Sequence, residues 1–251
     1  MKILCSNPAL RPFLERLPET FAAGEGEIIY DKRNQVRRFT VTLDGRSQTI
    51  IVKRFKRPNT LQRLSYSTLW RNKAEKAYLY AERLLQMGID TPRPLGAVTL
   101  RNGIGLVSQY FFASSEDTAP SCLCLRDGTS DDPDGLIGAL AEYLITLHEK
   151  GFLHGDTNLS NFLYRRSDDG RYTFSVIDIN RSTFLGRPAT RSEALANLFR
   201  LTHVRPLLER LIGQYARQRG WDEREALANV THALDRFERR KAFFRWMKGK
   251  G

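Results

Sequence analysis

The sequence predicts an α+β fold in two parts, a smaller part rich in antiparallel strands followed by a larger, mostly helical part. Two observations support this prediction. Short runs of β-branched and aromatic residues, separated by polar turns, fill much of the first third of the chain. From Gly135 onward, apolar residues recur mainly at three- and four-residue steps, interrupted by one hairpin pattern. We place the first part at residues 1–112 and the second at 113–251.

The composition excludes secreted disulfide scaffolds, integral membrane proteins and collagen-like chains. Hydrophobic residues make up 41% of the 251 positions, which suffices for a core without a metal or disulfide staple. The cysteines Cys5, Cys122 and Cys124 fit no metal-binding spacing and indicate a reducing compartment. No apolar run approaches the ~18–20 residues of a membrane span. Forty Lys and Arg against 28 Asp and Glu give a net charge of +12, which indicates an anionic partner.

Three strands are predicted near the start of the chain, at Glu27–Tyr30, Val36–Leu43 and Thr49–Phe55. A polar turn follows the first strand, Asp44-Gly45 follows the second, and Pro58 stops the third. Strands joined by such short turns indicate an antiparallel meander.

A helix is predicted next, over about residues 71–87, because its apolar positions recur at three- and four-residue steps. Gly88 is a suitable residue to end it, and Pro92 prevents its continuation. A further strand is predicted at Gly105–Phe111. The stretch 113–134, rich in Ser, Asp, Thr and Pro, contains the predicted boundary between the two parts.

The second part begins with a predicted helix at Gly135–Glu149, whose leucines lie on one face. Two short strands follow, Asn161–Tyr164 and Tyr172–Ile177, with a turn at 168–170 between them. Beyond Thr190 the pattern is mostly helical.

Three oxygen-bearing side chains are expected at one end of this hairpin. Asp156 and Asn161 lie in the loop after the helix, and Asp178 follows the second strand. Phosphoryl transfer needs such a set: one carboxylate to orient the attacking hydroxyl and accept its proton, and an amide oxygen and a second carboxylate to hold Mg²⁺. The loop pattern H-G-D-x-x-x-x-N has the spacing of the kinase pattern H-R-D-x-x-x-x-N, and Asp178 stands where the D-F-G aspartate would.

Kinases also need a strand lysine for the ATP phosphates and a helical glutamate to hold that lysine. Lys53 in the third strand is the predicted lysine, because the alternation of that strand puts it on one face with Ile51 and Phe55. Glu75, in the first turns of the following helix, is the preferred partner, and Glu82 is the alternative.

These residues resemble the lipopolysaccharide kinases of the Kdo/WaaP type, which have an atypical two-lobed protein-kinase-like fold and phosphorylate sugars of the lipopolysaccharide inner core. The resemblance rests on the segments Ile51–Phe55, Leu85–Pro92, His154–Asn161 and Ile177–Arg181, and it extends over roughly residues 27–185. The element G-I-x-T-P and the sequence D-I-N-R in place of D-F-G separate this family from ordinary protein kinases.

The resemblance implies ATP and Mg²⁺ as cofactors and a role for each matched residue. Asp156 would be the catalytic base, Asn161 and Asp178 the metal ligands, and Lys53 the contact to the ATP phosphates. His154 is expected to brace the backbone of the loop. The family's fold also implies that Tyr110–Ala113 is the hinge between the lobes, where backbone groups would meet adenine.

The sequence departs from the kinase pattern at three places. No G-x-G-x-x-G loop lies between the first two strands, so the polar turn must cover the nucleotide, with Lys32, Arg33 and Asn34 as candidate cofactor-binding residues. The Arg of H-R-D is replaced by Gly155. A phosphate-contacting lysine of many protein kinases is replaced by Asn158, and Arg181 is a candidate to supply the missing charge.

The resemblance implies a glycolipid acceptor, the lipopolysaccharide core, and work at the inner face of the cytoplasmic membrane. The C-terminal residues 236–251 carry seven Lys and Arg against one Glu, a net charge of +6, with aromatic residues interleaved. This segment could bind an anionic membrane surface, or it could be a terminal helix with solvated charges. Nucleic acid is not an expected partner.

Two other functions stay open. One is a protein Ser/Thr kinase or small-molecule kinase of the same fold, such as an antibiotic phosphotransferase. The other is a pseudokinase that acts as a scaffold without turnover. The sequence leaves open the acceptor sugar, its hydroxyl position and the oligomeric state.

Overall fold

The computed structural model describes residues 1–43, 45–57, 71–247 and 249. Asp44 of the second predicted turn, the strand stop at Pro58 and the basic residues Lys248 and Lys250 lie outside the described residues. The chain forms two compact units, Met1–Thr118 and Ala119–Gly251. The division between them follows Thr118, whereas the sequence places the boundary after residue 112.

The first unit is built on an antiparallel sheet with the strand order β1-β5-β6-β4-β3-β2. The strands are β1 (Lys2–Cys5), β2 (Glu27–Asp31), β3 (Gln35–Leu43), β4 (Arg46–Arg54), β5 (Pro94–Arg101) and β6 (Val107–Ser115). The predicted meander is confirmed, since β3 pairs antiparallel with both β2 and β4.

One face of this sheet is covered by the helix α1 (Arg11–Ala22), which the sequence analysis missed together with β1 and β5. Leu14, Leu17 and Phe21 of α1 are buried against Ile50, Val52 and other apolar residues of the central strands. The i, i+3, i+7 spacing of the three α1 side chains is that of one helix face, so α1 and the sheet share a core.

The helix α2 (Lys73–Gln86) confirms the helix predicted over residues 71–87. The side chain of Asn72 caps it by accepting from the backbone N–H groups of Ala74 and Glu75, and its own amide donates to Thr99 at 2.7 Å. Buried α2 residues form a second core cluster, which also includes Phe55 and Tyr110. Lys53, two residues before Phe55 on β4, shares that side of the strand.

The second unit contains the helices α3 (Cys124–Asp127), α4 (Pro133–Glu149), α5 (Arg191–Leu198), α6 (Arg205–Gln218) and α7 (Glu223–Met247). The predicted helix at 135–149 and the helical region after Thr190 are confirmed. The helix α4 packs against α6, and α6 packs against α7. No helix in the described part of the chain is long and apolar enough to cross a membrane.

The predicted hairpin is also confirmed, as β8 (Phe162–Arg166) and β9 (Tyr172–Val176). The short strand β7 (Phe152–Leu153) precedes the hairpin in the sequence and the short strand β10 (Thr183–Phe184) follows it. These two strands pair antiparallel with each other. The loop 154–161 and the turn 177–182 are therefore each held between regular elements.

Candidate active site

The loop after β7 is braced by a buried histidine. The backbone N–H of Asp156 donates to Nδ1 of His154 at 3.1 Å, so Nδ1 carries no proton. Nε2 then carries the proton and donates to the carbonyl of Ile177 at 2.9 Å. Burial lowers the pKa of His154 from its ordinary value, which keeps the ring in this neutral form. The structure thus places His154 as the backbone brace that the sequence predicts.

A second brace comes from Asn197 on α5, which the sequence analysis missed. Its amide nitrogen donates to the carbonyl of His154 at 2.8 Å, and its backbone carbonyl accepts from the hydroxyl of Thr157 at 2.6 Å. The side-chain oxygen of Asn197 lies 3.2 Å from Nε2 of His148, whose Nδ1 lies 2.8 Å from the hydroxyl of Tyr215. Through these hydrogen bonds α4, α5 and α6 hold the loop 154–161.

The hairpin brings Asn161 and Asp178 to the same end, as the sequence predicts. The backbone N–H of Ile177 donates to the carbonyl of Asn161 at 3.0 Å, directly after the last strand pair. Asp178 has φ = 56°, and it is the one non-glycine residue with positive φ in the described part of the chain. Asn180 supports this strained residue by donating from Nδ2 to the Asp178 carboxylate at 2.6 Å. Such strain is typical of functional sites.

The chemistry of this end of the hairpin suits Mg²⁺. The amide nitrogen of Asn161 donates to the backbone carbonyl of Asp156 at 2.8 Å, so the amide oxygen is the atom left for a cation. The Asp178 carboxylate adds a second hard oxygen ligand. No cluster of three or more His, Cys, Asp or Glu side chains suited to a metal occurs in the described ranges. Mg²⁺ commonly takes few protein ligands and completes its shell with water and substrate phosphates, so this donor set fits it.

Two arginines lie on the carboxylate of Asp156. Nη2 of Arg200 is 2.7 Å from Oδ1, and Nη1 of Arg181 is 3.8 Å from Oδ2. The sequence analysis singled out Arg181 but missed Arg200, which lies 44 positions after Asp156 in the region that follows α5. No local pattern in the sequence links it to the loop.

The glycine that replaces the kinase arginine is required by close packing. A Cβ atom on Gly155 would lie 2.1 Å from the carbonyl oxygen of Arg181, which is backbone and cannot turn aside. The loop and the turn that carries Asp178 therefore touch at Gly155, and no side chain fits between them.

In the first unit, Lys53 lies on β4, half-buried, with Nζ 5.2 Å from the centre of the Phe55 ring. The carboxylate of Glu75 is buried and contacts Nζ of Lys2 at 2.8 Å. The alternative, Glu82, accepts a hydrogen bond from Tyr78. Burial, and then this hydrogen bond, raises the pKa of Tyr78 to about 12. The β1 strand thus contributes a cation to Glu75 that the sequence analysis did not anticipate.

The turn between β2 and β3 borders a basic pocket of about 410 Å³ in the first unit. Lys32, Arg33 and Asn34 line it together with residues at the end of β4, including Arg54 and Lys56. The side chain of Asn34 accepts from the backbone N–H of Lys56 at 3.0 Å, which ties the turn to β4. The structure thus brings the three candidate residues together beside other basic residues of the first unit.

The hinge predicted at Tyr110–Ala113 is wrong. These residues lie inside β6, where their backbone pairs with β4 on one side and β5 on the other. Their polar backbone groups are used by the sheet, so they cannot serve adenine.

The chain matches one protein family and is similar in fold to solved structures. The family model described as the lipopolysaccharide kinase (Kdo/WaaP) family matches residues 21–224. A solved structure of WaaP in complex with acyl carrier protein is similar, with 20% identity and a TM-score of 0.56, over 96% of this chain and 98% of that one. No curated protein matches the chain.

Two further solved structures are more distant. The Rio2 kinase of Chaetomium thermophilum, in an ADP/Mg²⁺-phosphoaspartate complex, has 17% identity and a TM-score of 0.48, over 89% of this chain and 70% of that one. A divergent kinase that lacks the glycine-rich loop and regulates membrane ultrastructure of the Toxoplasma parasitophorous vacuole has 18% identity and a TM-score of 0.47, over 93% and 80%. The similarity to the WaaP structure, at a TM-score of 0.56, shows the two-lobed kinase-like fold that the sequence predicts.

Proposed function

The chain belongs to the lipopolysaccharide kinase (Kdo/WaaP) family, and on this premise we propose that it transfers the γ-phosphoryl group of ATP to a hydroxyl of a heptose or Kdo sugar in the lipopolysaccharide inner core. One observation carries the proposal: Asp156, Asn161 and Asp178 converge at one end of the β8–β9 hairpin. The Asn161 amide donates to the Asp156 carbonyl, and Ile177, next to Asp178, is hydrogen-bonded to Asn161 and His154. This convergence supports the proposal, because phosphoryl transfer needs a carboxylate for the attacking hydroxyl and oxygen ligands for Mg²⁺.

In the proposed reaction the Asp156 carboxylate accepts a hydrogen bond from the sugar hydroxyl and takes its proton as the oxygen attacks the γ-phosphorus. The bond from the γ-phosphorus to the β,γ-bridging oxygen breaks, and ADP leaves with that oxygen. The amide oxygen of Asn161 and the carboxylate of Asp178 would hold Mg²⁺, which neutralises charge on the phosphates when bound. The salt bridge to Arg200 orients the Asp156 carboxylate.

The first unit is proposed to contribute the phosphate contacts. Lys53 is the candidate partner of the ATP phosphates, and Glu75 fixes the local structure through Lys2. Lys32 and Arg33 supply positive charge in place of the backbone amides of a glycine-rich loop. The ion pair of Glu75 with Lys2 supports a positioning role for this carboxylate within the first unit.

The test is a phosphotransfer assay of the purified protein with ATP and Mg²⁺ against three acceptor classes: deacylated core oligosaccharide, casein-type proteins and aminoglycosides. We expect phosphate on the oligosaccharide, and its complete loss in Asp156→Asn and Asp178→Asn. Asp168→Asn is the matched control, because Asp168 is an exposed carboxylate at the opposite end of the same hairpin.

Each alternative has its own outcome in this assay. Transfer to casein or to an aminoglycoside alone would favour another kinase of the same fold, and ATP binding without transfer to any acceptor would favour a pseudokinase scaffold. Mass spectrometry of lipopolysaccharide from cells with and without the gene, or with the Asp156→Asn allele, identifies the sugar: one phosphate should be missing. An unchanged lipopolysaccharide would reject the proposal.

We also propose that the enzyme acts at the inner face of the cytoplasmic membrane and contacts it with the end of α7. Phe243, Phe244, Trp246 and Met247 lie in the last turns of this helix and are 53%, 48%, 73% and 56% exposed. Basic residues of α7 add about 1 kcal/mol each near an anionic surface. Sedimentation with vesicles containing anionic lipid should retain the wild type, and Phe243→Ser/Trp246→Ser should release it. Equal retention of both proteins would reject this contact.

An acyl carrier protein is a proposed protein partner, because the WaaP structure that shares this fold holds one. Copurification of the untagged chain with tagged acyl carrier protein, in its apo and acylated forms, tests this. Absence of a complex with either form at micromolar concentrations would reject it.

A further inference from the structure

A pocket of about 690 Å³ opens beside the catalytic loop within the second unit. Its walls are Asn158 of that loop, the segment Phe199–His203 after α5, and one face of α7. Six of the seven α7 residues that line it recur at three- and four-residue steps, as one side of a helix does: Leu234, Phe237, Glu238, Lys241, Ala242 and Arg245. The seventh is Arg239.

The pocket is positively charged. It is lined by one acidic residue, Glu238, and by four basic ones, Arg200, Arg239, Lys241 and Arg245. The carboxylate of Glu238 lies 3.0 Å from Nη2 of Arg205, which also pairs with Asp235 at 2.6 Å, so the charge of Glu238 is partly offset. Within the described residues Arg239, Lys241 and Arg245 form no ion pair. A pocket of this kind selects an anion.

Arg200 joins the pocket to the catalytic base. Nη2 lies 2.7 Å from Asp156, and the guanidinium carbon lies 5.2 Å from the centre of the Phe237 ring on α7. Phe237 in turn packs against Phe199, with ring centres 5.5 Å apart. A guanidinium has five N–H donors in a fixed fork, so one nitrogen can hold Asp156 while another meets a ligand in the pocket.

The remaining walls suit a sugar. Phe199, Leu234 and Phe237 provide apolar surface beside the cations, and Asn158 provides a hydrogen-bonding amide on the side of the catalytic loop. A saccharide ring that carries a phosphate or carboxylate matches both kinds of wall, whereas a neutral sugar leaves the cations unpaired.

We propose that this pocket binds an anionic group, a phosphate or a carboxylate, on the acceptor saccharide next to the sugar that is phosphorylated. Arg200 is then a positioning residue that couples acceptor binding to the orientation of Asp156. This inference rests on the proposed function and deepens it, because it makes negative charge on the acceptor a requirement of the site.

The experiment measures KM for the deacylated core oligosaccharide, KM for ATP and kcat. Lys241→Gln/Arg245→Gln should raise the oligosaccharide KM by about tenfold or more, the effect of losing a charge-assisted hydrogen bond, and leave kcat and the ATP KM unchanged. Arg200→Gln should raise the same KM and also lower kcat, and Arg200→Lys should recover part of the KM only. The matched control is Arg236→Gln/Arg240→Gln, which removes the same charge from α7 outside the pocket.

Two modified acceptors identify the anion. Enzymatic dephosphorylation of the oligosaccharide should reproduce the KM increase if the pocket binds phosphate, and reduction of its carboxyl groups should do so if it binds a carboxylate. If neither modification changes KM, or if the pocket variant and the control variant behave alike, the pocket assignment is overturned while the proposed function stands.

Absence of oligosaccharide phosphorylation by the wild type would instead reject the proposed function. In that case, the affinity for the oligosaccharide, measured by calorimetry, tests the pocket assignment independently of catalysis. Binding to the wild type that the Lys241→Gln/Arg245→Gln variant loses would support an anionic saccharide site. Equal binding, or none, would overturn it.

Discussion

Stability should fall steeply with acid because His148 is buried in its neutral form. The side chain is 2% exposed, and its two ring nitrogens are used by Tyr215 and Asn197. Asn197 Oδ1 is an acceptor, so Nε2 carries the proton and Nδ1 accepts from the tyrosine hydroxyl. Burial is the main cause that lowers the pKa of His148 from 6.5 to about 4.

The magnitude follows from proton linkage. Above pH 6.5 the ring is neutral in the folded and the unfolded chain, and pH has no effect through this group. Below that value the unfolded chain binds a proton that the folded chain does not, so the free energy of unfolding falls until the pH reaches about 4. In this window the free energy of unfolding falls by about 1.4 kcal/mol per pH unit. Going from about pH 7.5 to about pH 5 crosses about 1.5 units of the window, so the free energy of unfolding falls by about 2 kcal/mol. Burial also lowers the pKa of His154, so this residue adds to the loss of stability in acid.

The assay is urea unfolding of the wild type, His148→Gln and His232→Gln at several pH values across this range. Glutamine can accept from Tyr215 and donate to Asn197 but does not titrate, so His148→Gln should lose about 2 kcal/mol of the pH dependence. His232 is exposed on α7, and its replacement should leave the pH dependence intact. If His148→Gln and the wild type lose the same free energy between the two pH values, the linkage reasoning is refuted.

Three further substitutions test the local structure. Gly155→Ala should lower both the melting temperature and kcat, because its Cβ would meet a backbone carbonyl oxygen at 2.1 Å. Gly138→Ala is the helical control: its nearest contact is at 3.7 Å, so it should be neutral or stabilise by up to about 1 kcal/mol. A tolerated Gly155→Ala would disprove the close packing. Asn197→Ala should destabilise by about 1–3 kcal/mol in urea unfolding and lower kcat, since it removes the side-chain partner of the His154 carbonyl and of the buried His148 ring on α4. The exposed Asn229→Ala should do neither. Asn72→Ala should cost about 1–2 kcal/mol through the lost α2 cap, and a loss below about 0.5 kcal/mol would argue against the cap's importance.

Regular elements were predicted where their period was visible. The alternation of β3 and β4 and the helical spacing of α4 gave both existence and type correctly. The helix α1 was missed although its apolar residues have helical spacing, because Pro18 lies inside it and proline usually interrupts a helix. The strand β5 was missed because it begins at a proline and is buried on both faces, which removes the alternation that marks a strand.

The candidate site also contains residues that a local sequence pattern predicts and residues that only packing brings there. Asp156, Asn161 and Asp178 were found from spacing and from the hairpin between them, both of which are local properties. Arg200 and Asn197 come from the region of α5, some 40 residues later, and they reach the loop only through helix packing. The hinge was placed inside a central strand because family analogy carried no information on the pairing of β6.

The sequence by itself determined the fold class, the order of most elements and the residues that we propose for phosphoryl transfer, because turns, hairpins and short motifs are set by neighbours along the chain. Only the tertiary structure decided which cations meet which carboxylates: Lys2 at Glu75, and Arg200 at Asp156. It also decided that α7 faces the catalytic loop with a basic pocket. Ion pairs and pockets between distant segments depend on packing angles and on small differences in desolvation, and neither quantity leaves a periodic trace in the sequence.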